Sequence, residues 1–158
     1  MKILSIDAGT IESGYCLSEG YKPLHFGKIS NEDLLQIVKK EEYDVLVYEE
    51  FAAMGMPLGQ TTITSITWNG RYIQSALDRD KRTEPIFRRE VKICLCGTMK
   101  AKDGNIRQAL IDRFAQFDFK NGKGTKKRKD YFYGFSKDSW SAAAILTTFL
   151  DKESGLFK

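Results

Sequence analysis

The sequence predicts an α/β layer built on a mixed sheet. Short apolar stretches at 2–7, 14–18 and 24–29 follow one another with only turns between them, so the chain opens as an antiparallel meander. A helix-spaced segment at 32–41 then leads into a continuous apolar run at 45–48, the pattern of a strand covered on both faces. From residue 61 onward the apolar residues recur mostly at helical spacing. Early strands, one buried strand between helices and a helical remainder fit a layered α/β arrangement.

Each element has its own signal. Residues 2–7 (KILSID) are apolar but close on a carboxylate, Asp7, and the small-residue turn Ala8-Gly9-Thr10 follows. Ser30-Asn31 offers a helix N-cap with acids in the first turn, and Leu34, Leu35, Ile37 and Val38 share one helical face. The buried strand ends on Glu49-Glu50, and 52–60 (AAMGMPLGQ) reads as a loop. A helix over 61–78 carries Ile63, Ile66, Gly70, Ile73 and Leu77 on one stripe, expected to serve as core and as a dimer interface. EPIFRREVK reads as a short apolar piece and then a helical turn, and GTMKAKDG as a loop. Ile106, Leu110, Ile111 and Phe114 mark a helix over 104–116, and a last helix starts near Lys137 with Trp140, Ala143, Ala144, Ile145 and Phe149.

Composition narrows the class. The 158 residues suffice for one compact domain over 1–158, and no internal repeat divides them. Apolar residues at 42% and charged residues at 29% are ordinary for a soluble protein. No apolar run approaches the roughly 20 residues that cross a bilayer, and the N-terminus lacks a signal-peptide pattern, so an intracellular, cytoplasmic protein with no membrane partner is expected. Cys16, Cys94 and Cys96 cannot all pair, and CxC is not the CxxC of common zinc or redox motifs, so the thiols read as buried and reduced. His25 is the sole histidine, which leaves carboxylates, lysines and hydroxyls for any chemistry. No GxGxxG follows the first strand, which argues against a doubly wound dinucleotide domain.

The carboxylates at strand ends carry the chemical signal. Asp7 alone is a turn cap, part of a phosphate-gripping loop, or a metal ligand. If its strand neighbours the one ending at Glu49-Glu50, the two ends lie about 5 Å apart. Clustered carboxylates raise one another's pKa unless a cation sits between them, and an oxygen-only set suits Mg²⁺ or Mn²⁺. Asp138, at the start of the last helix, is a third candidate or simply an N-cap. The segment 120–129 (KNGKGTKKRK) has six basic residues in ten and no acid, and reads as a flexible basic loop that is either a solvated surface or a polyanion contact.

These motifs together resemble the RuvC family of Holliday junction resolvases, of the RNase H-like superfamily. ILSIDAGTIESGY resembles its opening strand, with Ala8 where proline is commoner. YDVLVYEEF resembles the segment of its catalytic glutamate. VKICLCGTMKAKDGNIRQALIDRF is similar to its Val-Lys, Gly and Lys-Ala-Lys stretch, and KDSWSAAAIL falls where its last acidic helix lies. The match spans nearly the whole chain in order, and its short length and last motif are most similar to bacteriophage RuvC-like resolvases, which would act in a host cell's cytoplasm.

The resemblance implies an RNase H-like fold with helices on both sheet faces. It also implies a homodimeric nuclease for branched DNA such as four-way junctions and forks, using Mg²⁺ (or Mn²⁺). Asp7, Glu49 and Asp138 become the catalytic and metal-binding set, with Asp7 bridging two ions in phosphodiester hydrolysis that leaves 5′-phosphate and 3′-hydroxyl ends. Glu50 stays an alternative to Glu49, and Asp130 a substitute for Asp138. Ser141 stands three residues after Asp138, where a second carboxylate is expected on the same helix face. DNA contacts fall to Phe51, Lys92, Lys100, Lys102, Lys123, Lys126, Lys127, Arg128 and Lys129, with Arg88 and Arg89 as further candidates. Phe51, with Met54, either wedges against an unstacked base or packs under its loop.

Two other readings compete. DAGT also suits the phosphate turn of an actin-like or sugar-kinase ATPase, which needs a second lobe and a second Gly-rich loop. Ser141 instead motivates a non-catalytic branched-DNA binder.

Overall fold

The computed structural model describes residues Met1–Lys158. Its elements run β1 (Lys2–Asp7), β2 (Glu12–Glu19), β3 (Lys22–Ser30), α1 (Asn31–Lys40), β4 (Val45–Glu50), α2 (Gln60–Leu77), β5 (Arg82–Phe87), α3 (Arg88–Cys96), α4 (Asp103–Phe114) and α5 (Lys137–Glu153). Strand order in the sheet is β3-β2-β1-β4-β5. The meander β1-β2-β3 is antiparallel, while β4 joins β1, and β5 joins β4, in parallel.

Side chains alternate across a sheet, so the register decides which residues meet which helices. Ile3, Val45 and Val47 enter a core shared with α3, α4 and α5. Leu4, Ile6, Leu46 and Tyr48 enter a second core shared with α1 and α2. The mixed sheet with helices on both faces is therefore present, and β1 and β4 are apolar on both sides because both sides are covered. Ser5 is wholly buried and donates to the Ala142 carbonyl at 2.8 Å, tying the middle of β1 to α5.

Three expectations need correction. The stripe read as core on α2 is core only in part: Ile73 packs against the second core, but Ile63 and Leu77 are 44% and 47% exposed, and Gly70 is exposed. The buried face is instead Ser65, Asn69, Tyr72 and Ala76. Most polar groups that point inward there are bonded, while Asn69 Oδ1 is buried without a partner. The Tyr72 hydroxyl lies 3.3 Å from Ser13 Oγ and donates to the Asn31 carbonyl at 3.4 Å, and Asn69 Nδ2 donates to the Glu49 carbonyl at 2.9 Å.

EPIFRREVK is not a short piece and a turn but a strand followed by a nine-residue helix. Pro85 disguises β5, since proline lacks a ladder donor; it is tolerated because β5 is an edge strand. Glu90 caps the start of α3 by accepting from the Phe87 amide at 2.7 Å, and Gly97 ends the helix in the left-handed conformation, at φ 71°.

The basic segment is not a free loop. Asp130 Oδ1 accepts the Gln116 and Tyr131 amides at 2.9 and 2.7 Å, and its Oδ2 accepts those of Phe117 and Asp118 at 3.0 and 2.7 Å. Asp118 in turn accepts the amides of Asn121, Lys123 and Gly124, and a bridge joins Gly124 to Lys129. Two carboxylates thus organise the segment from inside while its lysines face out. All three thiols are free; Cys16 is wholly buried and Cys94 and Cys96 partly so. No helix is long and apolar enough to cross a membrane.

Candidate active site

The parallel register of β1 and β4 places Ile6 beside Tyr48. One step further, Asp7 and Glu49 end their strands side by side. Alternation puts both on the α5 face with Ser5 and Val47, and sends Glu50 to the other face. The turn after Asp7 is fixed tightly. A Cβ on Gly9 would lie 2.1 Å from the Glu12 carbonyl oxygen, so only glycine fits. The Gly9 amide donates to Ser13 Oγ at 3.0 Å, Ser13 donates to Asn31 Oδ1 at 2.6 Å, and Asn31 Nδ2 returns to the Gly9 carbonyl at 3.0 Å. Ser13 and Asn31 are buried, so this closed ring of bonds holds the strand end rigid.

Asp138 arrives from α5 by close approach. Gly14 pairs with Asp7 across β1 and β2 and with Lys28 across β2 and β3. A Cβ on Gly14 would lie 2.6 Å from the Asp138 carbonyl oxygen. The missing side chain lets the first turn of α5 rest on β2 opposite Asp7. The Asp138 carboxylate forms an ion pair with Lys28 at 3.3 Å. As the side chains stand, no three acidic groups converge closely enough to form one ligand set. Asp7 and Glu49 form the inner pair, and Asp138 faces them with its charge on Lys28.

Electrostatics follow from this placement. Burial raises the Asp7 pKa, and the Asp138 charge raises it further; the Ser141 hydroxyl, the Arg88 guanidinium and Glu49 oppose the shift. Glu49 is pushed up to about 7, first by burial and then by the charge of Asp7, with Arg88 opposing. The side-chain interaction between the two carboxyls works in opposite senses, lowering the Asp7 pKa and raising that of Glu49.

The three acids and Ser141 line one cleft of about 500 Å³. Arg88, Asp103, Arg107, Lys123 and Lys137 complete its wall. A neighbouring groove of about 420 Å³ shares Glu49 and Arg88 and adds Glu50, Phe51, Met54, Phe87, Lys92 and Met99. The structure thus brings Asp7, Glu49, Asp138 and Lys123 into one cleft, with Phe51 and Lys92 next to it. Lys100 lies on a separate hollow with Asn105 and Asp112, and Lys102 is exposed at the start of α4. Lys126, Lys127, Arg128 and Lys129 are exposed on the ordered loop; Arg128 stacks over Phe117 at 3.9 Å and Lys129 over Tyr133 at 4.8 Å. Asp130 cannot substitute for Asp138, because both its oxygens are engaged by backbone amides.

The sequence reading missed Asp103, Arg107 and Lys137. The spacing of Asp103 and Arg107, four apart in the first turns of α4, places both on one helix face and was a usable signal. Lys28 carried no local signal at all, since its role depends on strand register.

No protein-family profile matches the sequence, and no curated protein matches it. Solved structures do. Thermus thermophilus RuvC aligns with a TM-score of 0.70 at 14% identity, covering 100% of this chain and 99% of that one. T. thermophilus RuvC in complex with Holliday junction substrate gives 0.69 at 13% identity, covering 100% and 98%. The yeast mitochondrial Holliday junction resolvase Ydc2 gives 0.61 at 14% identity, covering 98% and 79%. At these identities the likeness is one of architecture: the chain has the RuvC-type RNase H-like fold over its whole length.

Proposed function

We propose that the protein is a metal-dependent endonuclease that cuts branched DNA, four-way junctions above all. The observation that carries this reading is the Asp7–Glu49 pair at neighbouring parallel strand ends, faced by Asp138 across a cation-walled cleft. Two carboxyls pushed up by burial and by neighbouring charge, Asp138 on Asp7 and Asp7 on Glu49, are what a divalent cation would relieve, and the donors are all oxygen, so Mg²⁺ or Mn²⁺ fits. Asp7, Glu49 and Asp138 would hold it, with Ser141 offering a neutral hydroxyl. The chemistry a bound metal supplies is activation of water and stabilisation of the leaving 3′ oxygen.

The remaining steps belong to the chain. Lys123 and Lys137 hold the entering backbone at the cleft, and the 126–129 cations extend that contact along the strand. Arg107 lies 5.0 Å over the Trp140 ring, which keeps its guanidinium on the cleft wall. Phe51 and Met54, at the lip of the apolar groove, offer an unstacked base a stacking surface worth about 1–3 kcal/mol. The exposed α2 stripe seats a second copy, giving a twofold pair of clefts for two opposed strands. Support from the comparisons is a shared fold with a RuvC that is bound to a Holliday junction.

A second reading, a junction binder without chemistry, is favoured by Ser141 beside Asp7 and by Asp138 spending its charge on Lys28. A labelled synthetic four-way junction and a linear duplex, each with Mg²⁺, Mn²⁺ or EDTA, decide between them. Paired metal-dependent nicks near the crossover are expected. Tight junction binding without nicks would establish the second reading instead.

A further inference from the structure

We propose that Arg88, aimed by Asp103, is the group that grips the phosphate to be cut; the proposal rests on the nuclease reading of the cleft. Beyond the Glu50–Phe87 pair that ends the β4–β5 ladder, the chain turns directly into α3, and Arg88 is its first residue. That position brings a guanidinium to the wall shared by the carboxylate cleft and the apolar groove. Its positive charge is felt at both Asp7 and Glu49.

The ion pair with Asp103 explains the aim rather than the stability. Arg88 is 35% exposed and Asp103 is 78% exposed, and exposed ion pairs contribute little to folding. Their elements, α3 and α4, are joined through a loop, so the pair fixes where one flexible side chain points across that wall. A guanidinium has five donors in a planar fork, and one carboxylate cannot use them all. The free edge suits a phosphodiester oxygen bidentately, as a lysine would not. A phosphate on Arg88 lies against the acids that would hold the metal, with its neighbouring base at the mouth of the Phe51–Met99 groove. Arg88 would be a catalytic residue by contact with the reacting phosphate, and Asp103 a positioning residue acting through it.

The test is binding in EDTA, so that no cutting is required. Four-way junctions carry a single neutral methylphosphonate at successive positions around the crossover. At one position in a strand, removing the charge is expected to weaken wild-type binding about tenfold, while R88A binds the modified and unmodified junctions alike. R88K is expected to recover part of the discrimination. D103N is expected to reduce it, D103E to restore it, and D103N to add nothing on top of R88A. Melting temperatures stay level, because both side chains lie at the surface. An R88A protein that still discriminates at that position, or a wild type indifferent at every position, overturns the proposal for Arg88. Additive losses in R88A/D103N overturn the role of Asp103. Absence of wild-type nicks with Mg²⁺ or Mn²⁺ counts against the nuclease reading alone, since the phosphate map is made without metal.

Discussion

Asp7 and Glu49 sit side by side because β1 and β4 are parallel neighbours in register, with Ile6 beside Tyr48 one step earlier. The pleat then selects between the two glutamates. Glu49 shares a face with Val47 and lines the cleft with Asp7, whereas Glu50 follows Tyr48 to the opposite face. Glu49→Gln is therefore expected to abolish metal-dependent junction cutting, by at least a hundredfold. Glu50→Gln should remain within a few-fold of wild type. Single-turnover rates on one labelled junction check both, and the reverse order of effects would assign the role to Glu50 instead.

The same pair predicts how the metal-free protein responds to pH. Glu49 titrates near 7 in the fold and near 4.5 when unfolded. Between those values the native state binds more protons than the unfolded chain, so stability falls as pH rises through that window and levels off above it. Melting temperature without metal should drop by several degrees from pH 5 to pH 8, at roughly 2–4 °C per kcal/mol for a chain of this size. Glu49→Gln should flatten the dependence. Adding Mn²⁺ at pH 8 should raise the wild-type melting temperature and leave Glu49→Gln unmoved, because a ligand stabilises only the state that binds it.

Gly14 sets the distance between β2 and α5. A Cβ there would collide with the Asp138 carbonyl at 2.6 Å, and backbone cannot step aside as a side-chain tip can. Gly14→Ala is expected to push the start of α5 off the sheet, costing at least tenfold in cutting and most of the Mn²⁺-induced gain in melting temperature. The core beneath, with Ala142, Ala144 and Ile145 wholly or almost wholly buried, keeps α5 itself in place. Full cutting by Gly14→Ala would show that Asp138 takes no part.

What the sequence disclosed depended on whether the signal was local. Strands β1 to β4 and helices α1, α4 and α5 were legible because each carries its own periodicity. Strand β5 was hidden by Pro85 and by Arg82 and Glu84, which share a face with buried Ile86 and reach solvent only because β5 lies at the sheet edge. The α2 stripe was a true apolar pattern that faces the core only in part, because Tyr72 and Asn69 face inward through bonds to distant residues. Of the residues lining the cleft, Asp7, Glu49 and Asp138 were legible as candidates from strand ends and a helix start. Arg88 was legible only as a candidate DNA contact, and Asp103 only through its spacing from Arg107; Lys28 owes its place to strand register, which no single stretch could announce.

That outward stripe on α2 leads to a prediction about assembly. Ile63 and Leu77 are almost half exposed, with Ile66 and Ile73 partly buried between them. An apolar helix face of this kind gains by burial against a twin, at about 25 cal/mol per Å² removed from water. The wild-type protein is expected to sediment as a dimer. Ile63→Glu/Leu77→Glu should sediment as a monomer with an unchanged circular dichroism spectrum, and should nick one strand of a junction without the paired second cut. A wild-type monomer at micromolar concentration would remove this role from α2.

The ordered basic loop supplies the last prediction. Asp130 is buried, and four backbone amides hold its pKa well below the usual carboxylate range. A depressed carboxylate stabilises the fold above its unfolded pKa, near 3.9, and that contribution is lost as pH falls toward the folded value. At neutral pH the loop is thus fully tied. Asp130→Asn removes the charge from the centre of this amide cluster and leaves its backbone donors poorly met. The lysines remain, but the frame that aligns them does not. Junction binding should weaken about tenfold, while the salt slope stays near wild type because the same cations still meet phosphate. Replacing Lys126, Lys127, Arg128 and Lys129 with serine should do the opposite: the loop stays ordered in hydrogen exchange, and the salt slope falls by up to about one unit per lost contact. If both variants shift the slope alike, the frame and the charges are not separable, and the carboxylate core of the loop has no role of its own in DNA binding.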